Sequence, residues 1–405
     1  MLHVVMISPL PPQETGESPY TARLIKELVN KADLKITAIA GEEADTLDKT
    51  NARIESKSIW DGRNLFYPLT LLKEIAEIRP HLVHVQFGPH GKIYGGLFGE
   101  PMLLLLLLLR AVGIDTTITL HSTWMPRQVE ERVEKYGFLS HLRFLARPAF
   151  KLYMKLLNWG TTSIQLSTST MNSELRKQFL HHYEIEPTKV LEIPHPCRAD
   201  VEIHDKREAA ESLGLQDREI VLIFGFIREG KGIELAIRSM DRLRDLRPDA
   251  LLLVAGRPKD KEGKKYLQKL RELTDERGLE NHVQFDMRFI PEKELPLYFS
   301  AASVVLVPYT ESVGASGPIH NYAAYGTPIV AADVGHHMKG SLGGSVVLFE
   351  AEDTEALADA VNRILSNKGF ANQIGKKHRN YAKRESWPKA ALRTLRHYAK
   401  TLKTE

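Results

Sequence analysis

Gly225, Gly230 and Gly232 lie with Arg228 and Lys231 in IVLIFGFIREGKGIELAIRSM, between an apolar run and an amphipathic one. The pattern predicts a strand, a glycine loop and a helix whose first backbone N–H groups have no partner. Cations in such a loop can neutralise a diphosphate beside the helix N-terminus. The spacing Gly225-x-x-x-x-Gly230-Lys231 imitates a P-loop. Gly232, however, stands where a Ser or Thr hydroxyl would hold magnesium, which makes a poor nucleoside triphosphatase site. A second stretch, VVLVPYTESVGASGPIHNYAAYGTPIVAADVG over Val304–Gly335, has the same design. A strand ends at Pro308, a Gly/Ser loop follows, and a helix opens near Pro318 with Ser316 as its N-cap and Gly317 beside it. Alone, this loop fits an ordinary strand–helix joint equally well. Two loops in one domain, both suited to phosphate, say more than either does.

Other residues are suggestive only in company. His121 follows the apolar run TTITL, where a lone histidine more often serves structure than chemistry. Gly16 lies in the loop after the first strand. Glu234 and Glu292 open helices; either could contact the ribose or base of a bound nucleotide, but the dipole alone favours acidic residues there. The pairs His181–His182 and His336–His337 lack supporting ligand spacing and read as surface histidines. No Asp-x-Asp pair occurs, so a magnesium-bridged diphosphate is not signalled and no metal or cofactor is expected. Between His141 and Gly160 there is no acidic residue. Arg143, Arg147, Lys151 and Lys155 fall four apart, interleaved with Phe144, Phe150, Tyr153, Met154 and Trp159. Such a segment can lie on an anionic membrane, with Pro148 dividing it into two helices. It can equally be a helix packed on a sheet with solvated cations.

The elements that must position these residues follow from length and periodicity. The chain has 405 residues, more than one comfortable core, so two domains of about 200 residues are expected. Its single cysteine, Cys197, excludes an internal disulfide and fits a reducing compartment. A net charge of +4 and the absence of nucleic-acid motifs give no case for RNA or DNA as partner. No signal-like segment opens the chain, because Met1–Leu10 reads as a strand. The apolar run Met102–Leu109 is far short of the ~20 residues needed to span a bilayer and reads as a core helix. Strands are predicted at Leu2–Ser8, Lys35–Ala40, Leu82–Gln86, Thr116–Leu120, Ser163–Leu166 and Val190–Ile193. In the second half they fall near Ile220, Leu251, Val283, Val304, Ile329 and Val346. Helices lie between them, including Pro19–Val29, Leu69–Ile78 and Tyr94–Ala111. This alternation requires parallel sheets covered by helices. His195–Asp205 reads as the linker.

FGFIREGKGIE, LLLVAG, VQFDMRFIPEKELPLYFSAASVVLVPY and the stretch ending in GTPIVAADVG together resemble retaining glycosyltransferases of family 4, within glycosyl transferases group 1. VVMISPLPPQETGESPYTARLIKEL, HLVHVQF, TTITLHST and VLEIPHP add weaker matches, so the resemblance covers nearly the whole chain. It implies the α/β GT-B fold, two doubly wound Rossmann-like domains facing a central cleft. Residues 1–197 would bind the acceptor and residues 198–385 the nucleotide-sugar, with a helix over 386–405 crossing back to the first domain. His121 falls where the family places a histidine near the transferred sugar, and Gly16 where its backbone approaches sugar or acceptor. Phe289 and Ile290 are implied contacts to the nucleobase; by composition they could equally be core. The family usually carries two glutamates separated by seven residues. Counted back from Gly326, those positions are Val313 and Asn321. Counted forward from Glu311, with Gly314 as the family's glycine, two extra residues precede Gly326. The resemblance therefore implies Asn321 in place of the ribose-binding glutamate and Glu311 in place of the sugar-binding one.

The expected function is transfer of a sugar, with retention of configuration, from a nucleotide-sugar to a glycan or lipid-linked acceptor. Arg228, Lys231 and a helix N-terminus would stabilise the leaving diphosphate without metal. The expected location is the cytoplasm, at the inner face of the membrane if residues 141–160 dock there. Two rivals use the same residues: a GT-B epimerase acting on the nucleotide-sugar alone, and a degenerate binding or scaffold subunit without the glutamate pair.

Overall fold

The computed structural model describes residues 1–402 except 14, 42–46, 48–50, 90, 136–140, 142, 172, 312 and 313. Two compact units divide the chain. One comprises Met1–Pro194, Val313–Ala315 and Trp387–Glu405, the other His195–Ser312 and Ser316–Ser386.

The first unit is built on a parallel sheet of β1 (Leu2–Ile7), β2 (Leu34–Gly41), β3 (Ile54–Trp60), β4 (Leu82–Phe87), β5 (Thr116–Leu120), β6 (Ser163–Thr168) and β7 (Val190–Pro194). Their order is β3-β2-β1-β4-β5-β6-β7. The period of two decides which core each residue joins. Val5 and Ile7 enter the cluster on one face with Val85, Phe87, Ile118 and Leu120. Val4 and Met6 enter the cluster on the other with Leu24, Ile36 and Leu82. The last helix, Trp387–Thr401, closes that second cluster with Trp387, Ala391 and Tyr398.

The second unit repeats the design with β8 (Glu219–Phe224), β9 (Ala250–Ala255), β10 (Val283–Asp286), β11 (Val304–Val307), β12 (Ile329–Ala332) and β13 (Val347–Phe349). Their order is β10-β9-β8-β11-β12-β13, again parallel. Ile220 and Leu222 face one cluster, Val221 and Ile223 the other. In both units the order reverses beside the first strand, at β1/β4 and at β8/β11. Open parallel sheets bind ligands at such switch points, beyond the carboxyl ends of the strands.

The structure departs from the sequence reading in four places. Strand β3 was not foreseen: IESKSIW carries four consecutive polar residues at the sheet edge, and among the described residues it pairs with β2 alone. The helix expected over Tyr94–Ala111 is two, Gly91–Tyr94 and Glu100–Ala111. Gly95, Gly96 and Gly99 turn the chain between them at positive φ, and the Glu100 carboxylate accepts from the Leu97 and Phe98 amides. In the leucine run Met102, Leu103, Leu105, Leu106 and Leu109 are buried, but Leu104 is 44% exposed, so the helix is not buried all round. Pro148 does not divide its segment: Arg143–Gly160 is one helix. The proline lies in its second turn, where its missing N–H removes a single bond.

Candidate functional site

In the second unit, two glycine loops leave the carboxyl ends of β8 and β11, which are hydrogen-bonded neighbours. The first, after Phe224, leads into the helix Ile233–Leu246. Gly232 precedes that helix at φ +67°, and a Cβ there would lie 1.7 Å from the Pro308 carbonyl oxygen. Only glycine allows the two loops this approach. The Thr310 amide then donates to the Gly230 carbonyl at 3.2 Å. Lys231 Nζ donates to the Tyr309 hydroxyl at 2.8 Å. Arg228 is exposed and donates to the Glu229 carbonyl at 3.0 Å. Arg228, Lys231 and the loop leading to the exposed Glu311 are thus brought together. Tyr309 and Thr310 were missed in the sequence, where nothing distinguishes them beyond their place after the strand-ending Pro308.

The second loop ends at the helix Gly317–Tyr322, which runs on as a 3-10 turn over Ala323–Tyr325. Pro318 is its second residue. Ser316 holds the N-cap position with extended φ and ψ, but its side chain makes no capping bond. Ser316 is thus the N-cap residue expected from the sequence, without the side-chain bond that position usually makes. Among the described residues Ser316 Oγ is buried and without a hydrogen-bond partner, a costly state for a hydroxyl unless a ligand completes it. The Ser316 carbonyl accepts from the His320 amide at 3.3 Å and from His320 Nδ1 at 2.8 Å. The fully buried His320 thereby fixes Ser316, a role the sequence did not suggest. Asn321 is half-buried on the next position. A helical stretch this short carries a weak dipole, so anion affinity here depends on local N–H and O–H donors. Val313 lies outside the described residues.

Phe289 and Ile290 part company. Phe289 is 68% exposed after β10, whereas Ile290 is 7% exposed and belongs to the core with Tyr298 and Phe299. The preceding Arg288 is pinned by Glu294 at 2.6 Å and by the Tyr298 hydroxyl at 2.8 Å. Glu292 pairs with Arg198 at 2.6 Å, and Glu234 is exposed.

In the first unit, His121 follows β5 and its amide donates to the Phe87 carbonyl at 2.9 Å. With Gln86 Oε1 2.8 Å from Nε2, the ring carries a proton on Nε2. Tyr20 meets the ring edge-on at 4.6 Å, and Trp387 packs on Tyr20 at 5.0 Å. Behind it the buried His84 joins the Tyr398 hydroxyl at 2.6 Å and Thr119 Oγ1 at 2.7 Å. Burial holds His84 well below the usual histidine range, so it is neutral. Gly16 is exposed at the N-cap of the helix Glu17–Lys31, in right-handed helical conformation with open space where a Cβ would stand. Its backbone does not require glycine.

The basic segment shows an unexpected balance. Arg143 pairs with Glu134 at 3.4 Å, Arg147 with Glu130 at 2.6 Å, and Lys151 and Lys155 with Glu184 at 2.5 and 2.7 Å. Lys151 first, then Lys155, hold the Glu184 carboxyl down to about 2. Phe150, Tyr153 and Met154 are buried, while Phe144, Leu145, Leu152, Leu156 and Trp159 are exposed. Leu142 lies outside the described residues. Of the histidine pairs, His337 is not a surface residue: it is 5% exposed, and burial lowers its ring to about 3. Among the described residues no group of three or more His, Cys, Asp or Glu could hold a metal, and no helix is long and apolar enough to cross a membrane.

Residues 205–381 match the model of glycosyl transferases group 1. A D-inositol 3-phosphate glycosyltransferase of Nocardioides is 30% identical over 234 residues, 54% of this chain and 50% of the relative. A GDP-mannose-dependent alpha-(1-6)-phosphatidylinositol monomannoside mannosyltransferase of Mycolicibacterium smegmatis is 30% identical over 179 residues, 42% of this chain and 45% of the relative. The chain thus spans about half the length of these curated relatives. Among solved structures, Anabaena HepE in complex with UDP superposes with TM-score 0.72 at 13% identity, covering 99% of this chain and 100% of that one. Sucrose-phosphate synthase from Thermosynechococcus elongatus gives TM-score 0.75 at 18% identity, covering 100% of both chains. At these identities the likeness shows the fold, that of the GT-B glycosyltransferases.

Proposed function

We propose, from the match of residues 205–381 to the model of glycosyl transferases group 1, that the chain transfers a sugar, with retention of configuration, from a nucleotide-sugar to a glycan or lipid-linked acceptor. The observation that carries this reading is the buried, unpartnered Ser316 Oγ, on a loop leaving the same switch point as the loop that carries Arg228 and Lys231. A diphosphate oxygen accepting from Ser316 Oγ would remove the penalty of burying that hydroxyl alone.

In this reading Arg228, Lys231, Ser316 and the Gly317 amide hold the diphosphate, and no metal is required. Asn321 bonds the ribose hydroxyls, and Phe289 covers the base. Ile290 supports Phe289 from the core. Glu311 and His121 are assigned to the transferred sugar, and Gly16 to the approach of sugar or acceptor. The bond from the anomeric carbon to the diphosphate oxygen breaks first, its electrons passing to the leaving group. Fixed cations stabilise that charge as it develops. The acceptor hydroxyl attacks the same face, and its proton passes to the departing phosphate.

The name of the Mycolicibacterium relative includes a phosphatidylinositol monomannoside, and an acceptor of that kind is assigned to the first unit in this reading. Because its four cations are ion-paired, the Arg143–Gly160 helix would reach a bilayer through exposed Leu145, Leu152, Leu156 and Trp159. A thermal-shift screen against UDP-, GDP-, ADP- and dTDP-sugars, without metal and then with magnesium, tests the donor assignment. Stabilisation by one base without metal is expected. No shift with any of the four would overturn the assignment.

A further inference from the structure

At the end of the second sheet opposite the glycine loops, a cavity of about 470 Å3 opens beside the first residues of β8 and β12. Ile203, Leu365 and Ala371 give it an apolar wall, and Lys206, Lys368 and His204 line its rim. Lys206 Nζ donates to Ser303 Oγ at 2.8 Å. Lys368 is the first residue of the helix Lys368–Arg384. Among the described residues neither ammonium has a carboxylate within ion-pair distance. Glu219, the carboxylate in the wall, is held by Arg247 at 2.7 and 2.9 Å, and His204 Nε2 lies 3.9 Å from Glu202. The cavity therefore has a positive rim over an apolar wall. Desolvation lowers the Lys206 ammonium below its ordinary range, Glu219 opposes that shift, and the charge of Lys368 adds to it.

We propose that this cavity is a second ligand site, for a small phosphate monoester whose dianion bridges Lys206 and Lys368 while its organic body rests on Ile203, Leu365 and Ala371. Two cations without carboxylate partners match a dianion better than a single carboxylate, and the apolar wall favours an ester over the bare ion. None of the residues assigned to the sugar donor takes part, so the site stands whether or not the proposed transfer does.

Calorimetry with phenyl phosphate, run on the full chain, tests the site with three proteins. Wild type and Lys231→Ala should bind with the same Kd, and Lys206→Met/Lys368→Met should bind at least about tenfold more weakly. Inorganic phosphate should bind wild type more weakly than phenyl phosphate does. Both lysines are exposed, and unchanged melting would confirm that the double variant folds; should it not, Lys368→Met alone serves. Equal affinity in the double variant, loss of binding in Lys231→Ala, or no binding by wild type at millimolar concentration would each overturn the proposal. Inorganic phosphate binding as tightly as the ester would remove the role given to the apolar wall.

Discussion

Lys231 Nζ lies 2.8 Å from the Tyr309 hydroxyl and 4.0 Å from the centre of its ring, so the cation of one glycine loop is held by the next. Lys231→Ala should weaken nucleoside diphosphate binding by about 1.5–3 kcal/mol, the worth of a charge-assisted contact. Tyr309→Phe keeps the ring and the cation but loses the hydroxyl that accepts from the Lys231 ammonium, so it should weaken binding by less than Lys231→Ala does. Calorimetry on the two variants checks both. An unchanged Kd in Lys231→Ala would refute the role of that lysine.

Gly232 makes a separate, structural prediction. A side chain there meets the Pro308 carbonyl at 1.7 Å and must also adopt φ +67°. Gly232→Ala should cost at least about 2 kcal/mol of stability and lower the urea midpoint. Gly16→Ala, with open space and ordinary φ, should leave the midpoint unchanged. Equal midpoints for the two variants would show that the loops do not pack this closely.

Acid should destabilise the fold through its buried histidines. Burial lowers His337 to about 3 and His397 to about 4, both below the ordinary value of 6.5. The unfolded chain therefore binds more protons between those limits. The stability these residues contribute is complete above about pH 6.5 and falls by about 1.4 kcal/mol per pH unit for each histidine below it. Urea midpoints at about pH 7 and pH 5 should differ accordingly, and His337→Gln should reduce the difference. A flat profile would mean that these rings already titrate normally in the folded protein.

Membrane contact should depend on apolar residues more than on cations. Flotation with anionic vesicles is expected for wild type and should fall sharply in Leu152→Glu/Trp159→Ala. Equal flotation of the two proteins, or none by wild type, removes the membrane reading.

Much of the architecture was legible because it rests on strong local patterns. Apolar runs such as Val304–Val307 and Leu251–Leu253 are buried strands, and glycines at Gly225, Gly230 and Gly232 mark the turn between β8 and its helix. The sequence misled where tertiary context overrode pattern. β3 is an edge strand with few apolar residues. Pro148 lies inside a helix it was expected to divide, and His337 is buried where a surface histidine was expected. The charge balance of the Arg143–Gly160 helix was invisible because its acidic partners Glu130, Glu134 and Glu184 lie on neighbouring elements. Likewise, no periodicity could reveal that Ser316 Oγ would be buried without a partner or that His320 would hold its backbone.

The central claim is that a diphosphate sits on Ser316 and Lys231. Its most direct test is calorimetry of UDP, GDP, ADP and dTDP in the presence of a metal chelator, on wild type, Ser316→Ala and Lys231→Ala. The account predicts that one nucleoside diphosphate binds wild type without metal and that both substitutions weaken it. Binding of none of the four, or one unchanged Kd across all three proteins, would contradict it.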